Sequence, residues 1–317
     1  MRLDELKQRI LALLEVSAWP QMVRLVERAV RDEPQSIWEH PAVACRAVGG
    51  SAEAALPGAA AIVCSLLSIH LVDDILDEDP RGDYREVGEG PAANLALAFQ
   101  AAAHRLLENA SPNPETRAAL HSRLARMALA TAYGQSLDVQ GASNEEEYWR
   151  VVETKAPPLF AAALGIGALL GGASDVTAEQ LERLGGHLGL FSQISDDLVD
   201  ALQVPARPDW RRPFNNLPLL YALTVEHPER DRFLQLFERL DQPGALSEAQ
   251  AILLRCGAVS YCAFRLAEIS RQARAVFAGI PLDDPEPLER LLDHFLTPLD
   301  ELLATMGFAG SPSGEPN

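Results

Sequence analysis

Three stretches without a single charged side chain, 55–72, 156–173 and 188–195, constrain this chain more than any other feature. A helix at a protein surface keeps a polar face, whereas one that is apolar all round needs protein on every side. The two longer stretches approach the ~18 residues of a membrane span. Each contains proline, at Pro57 and at Pro157-Pro158, and the first runs straight into a cluster of acids. They therefore read as core helices of a broad bundle, with no membrane span. Between them the chain is rich in Ala, Leu and Arg, with apolar residues at helical spacing, as at Leu13 and Val16. No Asn-Gly or Asp-Gly hairpin separates alternating β-branched runs, and aromatic residues make up only 6%. The pattern predicts an all-α chain, a single large bundle of about ten or more helices.

Breakers fall at Pro41, at Ser111-Pro112-Asn113-Pro114, across 205–213, at Pro228, at Pro243-Gly244 and through 281–287. None of these segments reads as an interdomain linker. One domain over residues 1–309 is expected, with 310–317 as a disordered polar tail. The 27 basic and 45 acidic residues leave a net charge of −18, which repels phosphate backbones and argues against a nucleic-acid partner. Cysteines at 45, 64, 256 and 262 form no C-x-x-C pair. They fit a reducing, cytoplasmic setting, and the charged amphipathic N-terminus carries no signal-peptide pattern.

The acids cluster. Asp73-Asp74-Ile75-Leu76-Asp77 is one group and Asp196-Asp197-Leu198-Val199-Asp200 the other. Each places carboxylates at i, i+1 and i+4, and on a helix the first and last point within ~40° of each other. Both follow apolar runs, so both sit near the end of a buried helix. Three like charges on one face repel, and the dipole at a helix C-terminus adds to the repulsion. A cation must compensate. Mg²⁺ suits the purpose, because it takes hard oxygen ligands and is usually held by one or two carboxylates together with substrate phosphates. One such motif is as easily a solvated helix end; two, each behind a buried helix, are not. An EF-hand starting at Asp77 fails, since Arg81 stands fifth and Gly88 twelfth, where a bidentate Glu belongs. A di-iron bundle fails as well, because no histidine follows a Glu by three residues.

Paired D-D-x-x-D motifs on an all-α chain of this length resemble the trans-isoprenyl diphosphate synthases, or polyprenyl synthetases, and their class I terpene-synthase relatives. The resemblance spans roughly 35–225. Gly134-Gln135-Ser136-Leu137-Asp138 is similar to the family's G-Q-x-x-D, and Glu153-Thr154-Lys155-Ala156 to its K-T-A segment. Phe191 to Asp200 resembles F-Q-I-x-D-D-x-L-D, and Asn216-Leu217-Pro218-Leu219-Leu220 the T-L-P-L-L that follows. The resemblance implies the isoprenoid synthase fold, helices around a central cavity. It implies that Asp73, Asp74 and Asp77 face Asp196, Asp197 and Asp200 across Mg²⁺, three ions when the diphosphate is bound. It further implies that an allylic isoprenoid diphosphate ionises there to an allyl cation. Lys155 then places a positive charge on the diphosphate, Gln135 a hydrogen bond near cation or phosphates, and Arg81 a further phosphate contact. Ser68 and Ile69, five and four residues before Asp73, floor the hydrocarbon pocket; neither is aromatic, so a chain longer than C10 fits. A homodimer is expected on the same ground.

The departures concern the second substrate. Chain-elongating members bind isopentenyl diphosphate with an upstream Gly-Lys-Arg, a histidine on the first motif's helix and an arginine pair after it. Here the upstream segment is Glu39-His40-Pro41-Ala42-Val43-Ala44-Cys45-Arg46, the histidine position is Leu66, and one arginine, Arg81, stands with two acids after the motif. The lysine before the T-L-P segment is Phe214, with Arg211 and Arg212 nearby. A diphosphate carries about three negative charges and needs several cationic donors. Three readings follow. Elongation proceeds with Arg46, Arg81, Arg85, Arg211 or Arg212 rebuilding the acceptor site; or the prenyl group goes to another acceptor or closes on itself as in a terpene cyclase; or the chain is a non-catalytic subunit of a synthase. Six carboxylates in register argue against the third, and prenyl transfer is the expected reaction.

Overall fold

In a computed structural model the described residues are 2–30, 36–206 and 208–305; the expected tail at 310–317 lies outside them. The described residues contain no strand. Their helices begin with α1 (Leu3–Leu11), α2 (Leu14–Ser17), α3 (Pro20–Ala29) and α4 (His40–Ala47). Then come the long core helix α5 (Ala52–Leu76), short α6 (Tyr84–Val87), α7 (Glu89–Leu107) and α8 (Pro114–Gln140). After these follow α9 (Glu145–Lys155), α10 (Pro157–Leu170) and α11 (Asp175–Leu202). Two short 3₁₀ turns, Pro208–Arg211 and Pro213–Asn215, lead into α12 (Leu217–Thr224), α13 (Arg230–Phe237), α14 (Ala245–Arg255), α15 (Ala258–Ala278) and α16 (Glu286–Thr305). The all-α expectation holds.

Helix starts carry their own polar caps. Ser51 accepts the Ala54 N–H at the head of α5, and Asn113 accepts that of Glu115 at the head of α8. Asn144 accepts the Glu147 N–H at the head of α9, where Glu145, Glu146 and Glu147 favour the positive end of the helix dipole. Ser174 does the same for α11 through Thr177. These caps fix where the long helices begin, and so which residues reach their far ends.

The uncharged stretches are buried for a visible reason. Helix α10 packs against α4, α5, α8 and α11, so none of its residues is exposed, and α11 lies against α10 and α15. Gly185 allows the α10–α11 contact, since a Cβ there would lie 2.4 Å from the Phe160 carbonyl oxygen. One apolar core threads from Leu6 to Leu296, and a satellite core around Trp210, Phe233 and Ile252 packs α12, α13 and α14. Helix α5 is the one described helix long and apolar enough to cross a bilayer, and 61% of its most apolar window is buried inside the protein. All four cysteines are free.

Candidate active site

Helix α5 ends at Leu76, with Asp77 as its C-cap. The Glu78 N–H bonds back to the Ile75 carbonyl and the Asp79 N–H to that of Asp74, the paired closure that ordinarily uses glycine. Here Glu78 takes the left-handed conformation at φ 53°, a strained choice for a residue with a side chain. The turn leaves Asp73 and Asp77 on one face. Carboxylate oxygens of Asp73, Asp77 and Asp138 all lie within 4.8 Å of one another. Asp138 comes from α8, three residues past Gln135. Helices α8 and α9 approach closely because position 134 is glycine; a Cβ there would lie 2.6 Å from the Thr154 and Lys155 backbone.

That approach places Lys155, the last residue of α9, among the acids. Its Nζ donates to Asp138 Oδ2 at 2.6 Å and lies 3.2 Å from Asp73 Oδ1. Burial alone would lower the Lys155 pKa, but Asp73 and Asp138 outweigh it and raise it well above the ordinary value. The approach to Asp73 lacks hydrogen-bond geometry, so this buried oxygen has an electrostatic partner and no donor. Asp77 is held by Arg212, whose Nη1 donates to Oδ1 at 2.8 Å. Burial still raises the Asp77 pKa, against the opposing charge of Lys155.

The second group is built differently. Asp197 is 5% exposed and accepts three hydrogen bonds. Its donors are the Tyr148 hydroxyl at 2.6 Å, the Leu217 N–H at 2.9 Å and Gln193 Nε2 at 3.1 Å. Burial pushes its pKa up to about 7, with these bonds pulling the other way. Asp196 opens to the cavity from among buried neighbours, and burial together with Asp200 pushes its pKa up to about 6. Asp200 is hydrogen-bonded to Asp209, whose pKa is raised first by burial and then by Asp197 and Asp200. Asn215 donates to the Asp138 carboxylate at 2.9 Å, and Asn216 to the Asp197 carbonyl at 2.8 Å. The segment entering α12 thus ties both groups together.

Asp77, Asp138, Lys155, Asp196, Asp197 and Asp200 line one cavity of about 540 Å³, with Val151 and Val152 supplying apolar wall and Arg85, Arg211 and Arg212 at its rim. The other predicted residues, Asp73 behind Lys155 and Asp138 included, stand outside that lining. Asp74 turns to the following loop, where the Asp83 N–H donates to it, and burial raises its pKa against the charge of His70. Arg81 is clamped by Asp79, with its backbone N–H at 2.8 Å and its Nη2 at 2.9 Å, and stays exposed. Ser68 and Ile69 are half-buried further up α5, about 7.5 Å along the axis from Asp73 in the case of Ser68. Gln135 is buried, and its Nε2 meets no acceptor among the described residues. Asp138, Tyr148 and Asp209 were not singled out from the sequence. Asp138 had a signal, its place three residues from Gln135; Asp209 sits in a proline-broken segment without periodicity.

The donor set fits a hard divalent cation. It is oxygen only, carries a surplus of negative charge, and includes in Asp73 Oδ1 a buried acceptor without a donor.

The chain is 32% identical over 160 residues to the nonaprenyl diphosphate synthase of Mycobacterium tuberculosis, covering 47% of this chain and 48% of that one. It is 35% identical over 169 residues to the geranylgeranyl diphosphate synthase of Methanosarcina mazei, covering 50% and 52%. The alignments thus span about half the length of these curated relatives. Its fold matches that of the geranylgeranyl pyrophosphate synthetase from Pyrococcus horikoshii Ot3, with a TM-score of 0.80 at 21% identity over 92% of this chain and 95% of that one. The polyprenyl synthetase model matches residues 42–253, the span that holds both acidic groups, Lys155 and the segment that ties them, and the chain belongs to that family.

Proposed function

We propose that this protein is a Mg²⁺-dependent prenyltransferase, which ionises an allylic isoprenoid diphosphate and transfers the prenyl group. The observation that carries the reading is the convergence of carboxylates from α5, α8 and α11 on one cavity, with a half-buried lysine among them. Asp73, Asp77 and Asp138 would hold Mg²⁺ on one side and Asp196 and Asp200 on the other, three ions in all once the diphosphate is present. Bound there, Mg²⁺ supplies the positive charge that favours departure of pyrophosphate. Lys155 adds a fixed charge toward the diphosphate, and the buried Gln135 amide a hydrogen bond. Val151 and Val152 keep water from the wall where a carbocation would form. Ser68 and Ile69 would floor the hydrocarbon pocket. We read residues 1–309 as one domain, active in the cytoplasm as a homodimer.

Isopentenyl diphosphate is the acceptor in the leading form of the reading, with Arg85, Arg211 and Arg212 as the cavity's cations. A second form sends the prenyl group to another acceptor or into cyclisation, and one observation favours it. His40 is buried and its ring stands edge-on to Phe160 and Phe295 at 5.5 and 5.9 Å, so α4 begins inside the core instead of offering cations to the cavity. The test incubates the protein and Mg²⁺ with C10, C15 and C20 allylic diphosphates, each with and without isopentenyl diphosphate. Elongated diphosphates are expected. Hydrocarbons or alcohols formed without the C5 partner establish the second form, and no turnover of any of them defeats both.

A further inference from the structure

The Arg212–Asp77 pair spans 135 positions of sequence, from the connection between α11 and α12 to the end of α5. Arg212 Nη2 also lies 3.4 Å from the Leu76 carbonyl, at the negative end of the α5 dipole. The pair stays wet, with side chains 42% and 35% exposed, and pairs this exposed are weak. Lys155 is different: at 20% exposure it sits between two carboxylates and has no other place to go. Asp77 is thus one of three clustered oxygens suited to a divalent cation, yet an arginine already holds it. Both cations cannot have the same oxygen. The arginine's alternative is close, because Arg212 lines the same cavity and a guanidinium matches phosphate oxygens in a two-pronged bond.

We propose that Arg212 is an exchangeable counter-ion, covering Asp77 in the cation-free protein and moving to the diphosphate when a divalent cation claims that carboxylate. The inference rests on the cation site proposed above. It gives Arg212 two effects of opposite sign. It opposes cation binding in the free protein and promotes phosphate binding in the loaded one.

The test measures Mn²⁺ binding in the absence of any phosphate, by the loss of the free-ion paramagnetic resonance signal. Inorganic pyrophosphate binding is then measured by calorimetry at saturating Mg²⁺. In Arg212→Ala, Mn²⁺ affinity should rise about two- to fivefold, the worth of one exposed ion pair. Pyrophosphate affinity should fall roughly tenfold, the loss of a charge-assisted hydrogen bond. Arg212→Lys keeps the charge and loses the fork, so Mn²⁺ affinity should stay near wild type while pyrophosphate still binds more weakly. Arg212→Gln serves as the removal variant if circular dichroism shows Arg212→Ala unfolded. Mn²⁺ affinity unchanged or lowered in the removal variant overturns the exchange, and so does unchanged pyrophosphate affinity. A wild-type protein that binds no Mn²⁺, or binds it equally well after Asp73→Ala, overturns the cation site itself and this inference with it.

Discussion

The two acidic walls of the cavity solve one electrostatic problem by opposite means. On the α5 side, Asp73, Asp77 and Asp138 are neutralised by cations borrowed from elsewhere in the chain, Lys155 from α9 and Arg212 from the segment before α12. On the α11 side Asp197 is held by neutral donors from Tyr148, Gln193 and Leu217, while Asp200 helps raise the pKa of both Asp196 and Asp209. A cation-paired carboxylate stays ionised; a buried one without a cation takes up a proton more readily. The first wall therefore carries two cations among its acids, whereas the donors on Asp197 in the second are neutral.

Removing a carboxylate from either wall should have the largest effect. Asp73→Ala and Asp196→Ala are each expected to lower turnover of an allylic diphosphate by at least ~10³-fold, with helical circular dichroism unchanged. Full activity in either variant would remove that residue from the site and leave a one-sided cavity. Lys155→Met comes next, and it tests the borrowed charge. It strands Asp73 and Asp138 beside each other without a cation, which should cost about 3 kcal/mol of stability in chemical denaturation and slow turnover ~10²-fold. The same stability loss is not expected from Tyr148→Phe on the second wall, which removes a neutral donor and breaks no ion pair.

How much of this is legible in the chain follows the same division. The two D-D-x-x-D groups are legible because helical spacing converts directly into a shared face, and apolar runs such as 188–195 announce the buried helices that carry them. The all-α bundle is legible for the same reason. What surrounds the acids is long-range and has no local period. Lys155 meets Asp73 across 82 positions of sequence, with a glycine at 134 as the only hint that α8 and α9 touch. Tyr148 reads as an ordinary apolar position of α9 until its hydroxyl is seen on Asp197. Asp74 shows the converse: it belongs to the motif by sequence, but the turn at Glu78 brings the Asp83 N–H to its carboxylate on the loop side, away from the cavity lining.

Tyr148→Phe sharpens the neutral half of the comparison. The change keeps the ring in its fully buried place and deletes one donor to a buried carboxyl, which should cost about 1–3 kcal/mol in thermal or denaturant unfolding. Divalent-cation affinity should fall about tenfold, because Asp197 orients the helix end that carries Asp196 and Asp200. A larger loss of affinity from Tyr148→Phe than from Lys155→Met would reverse the assignment of which wall needs its protein partners more.

The smallest effect is on the pH dependence of stability. Asp196 titrates near 6 and Asp197 near 7, both raised by burial above the ordinary carboxylate value. Between about pH 4 and 7 the folded protein therefore holds protons there that the unfolded chain releases. That contribution is fully present below the unfolded value and is lost as pH rises through 6 and 7. Without divalent cations, the melting temperature should accordingly gain from these two groups on going from pH 8 to 5.5. Mg²⁺ favours the ionised forms, so its stabilising increment should be larger at pH 8 than at 5.5, by about 2–4 °C. Calorimetry of Asp196→Asn tests this, since Asn at 196 should shrink the pH dependence seen without Mg²⁺. A pH dependence unchanged from wild type in that variant would mean that Asp196 does not contribute to it.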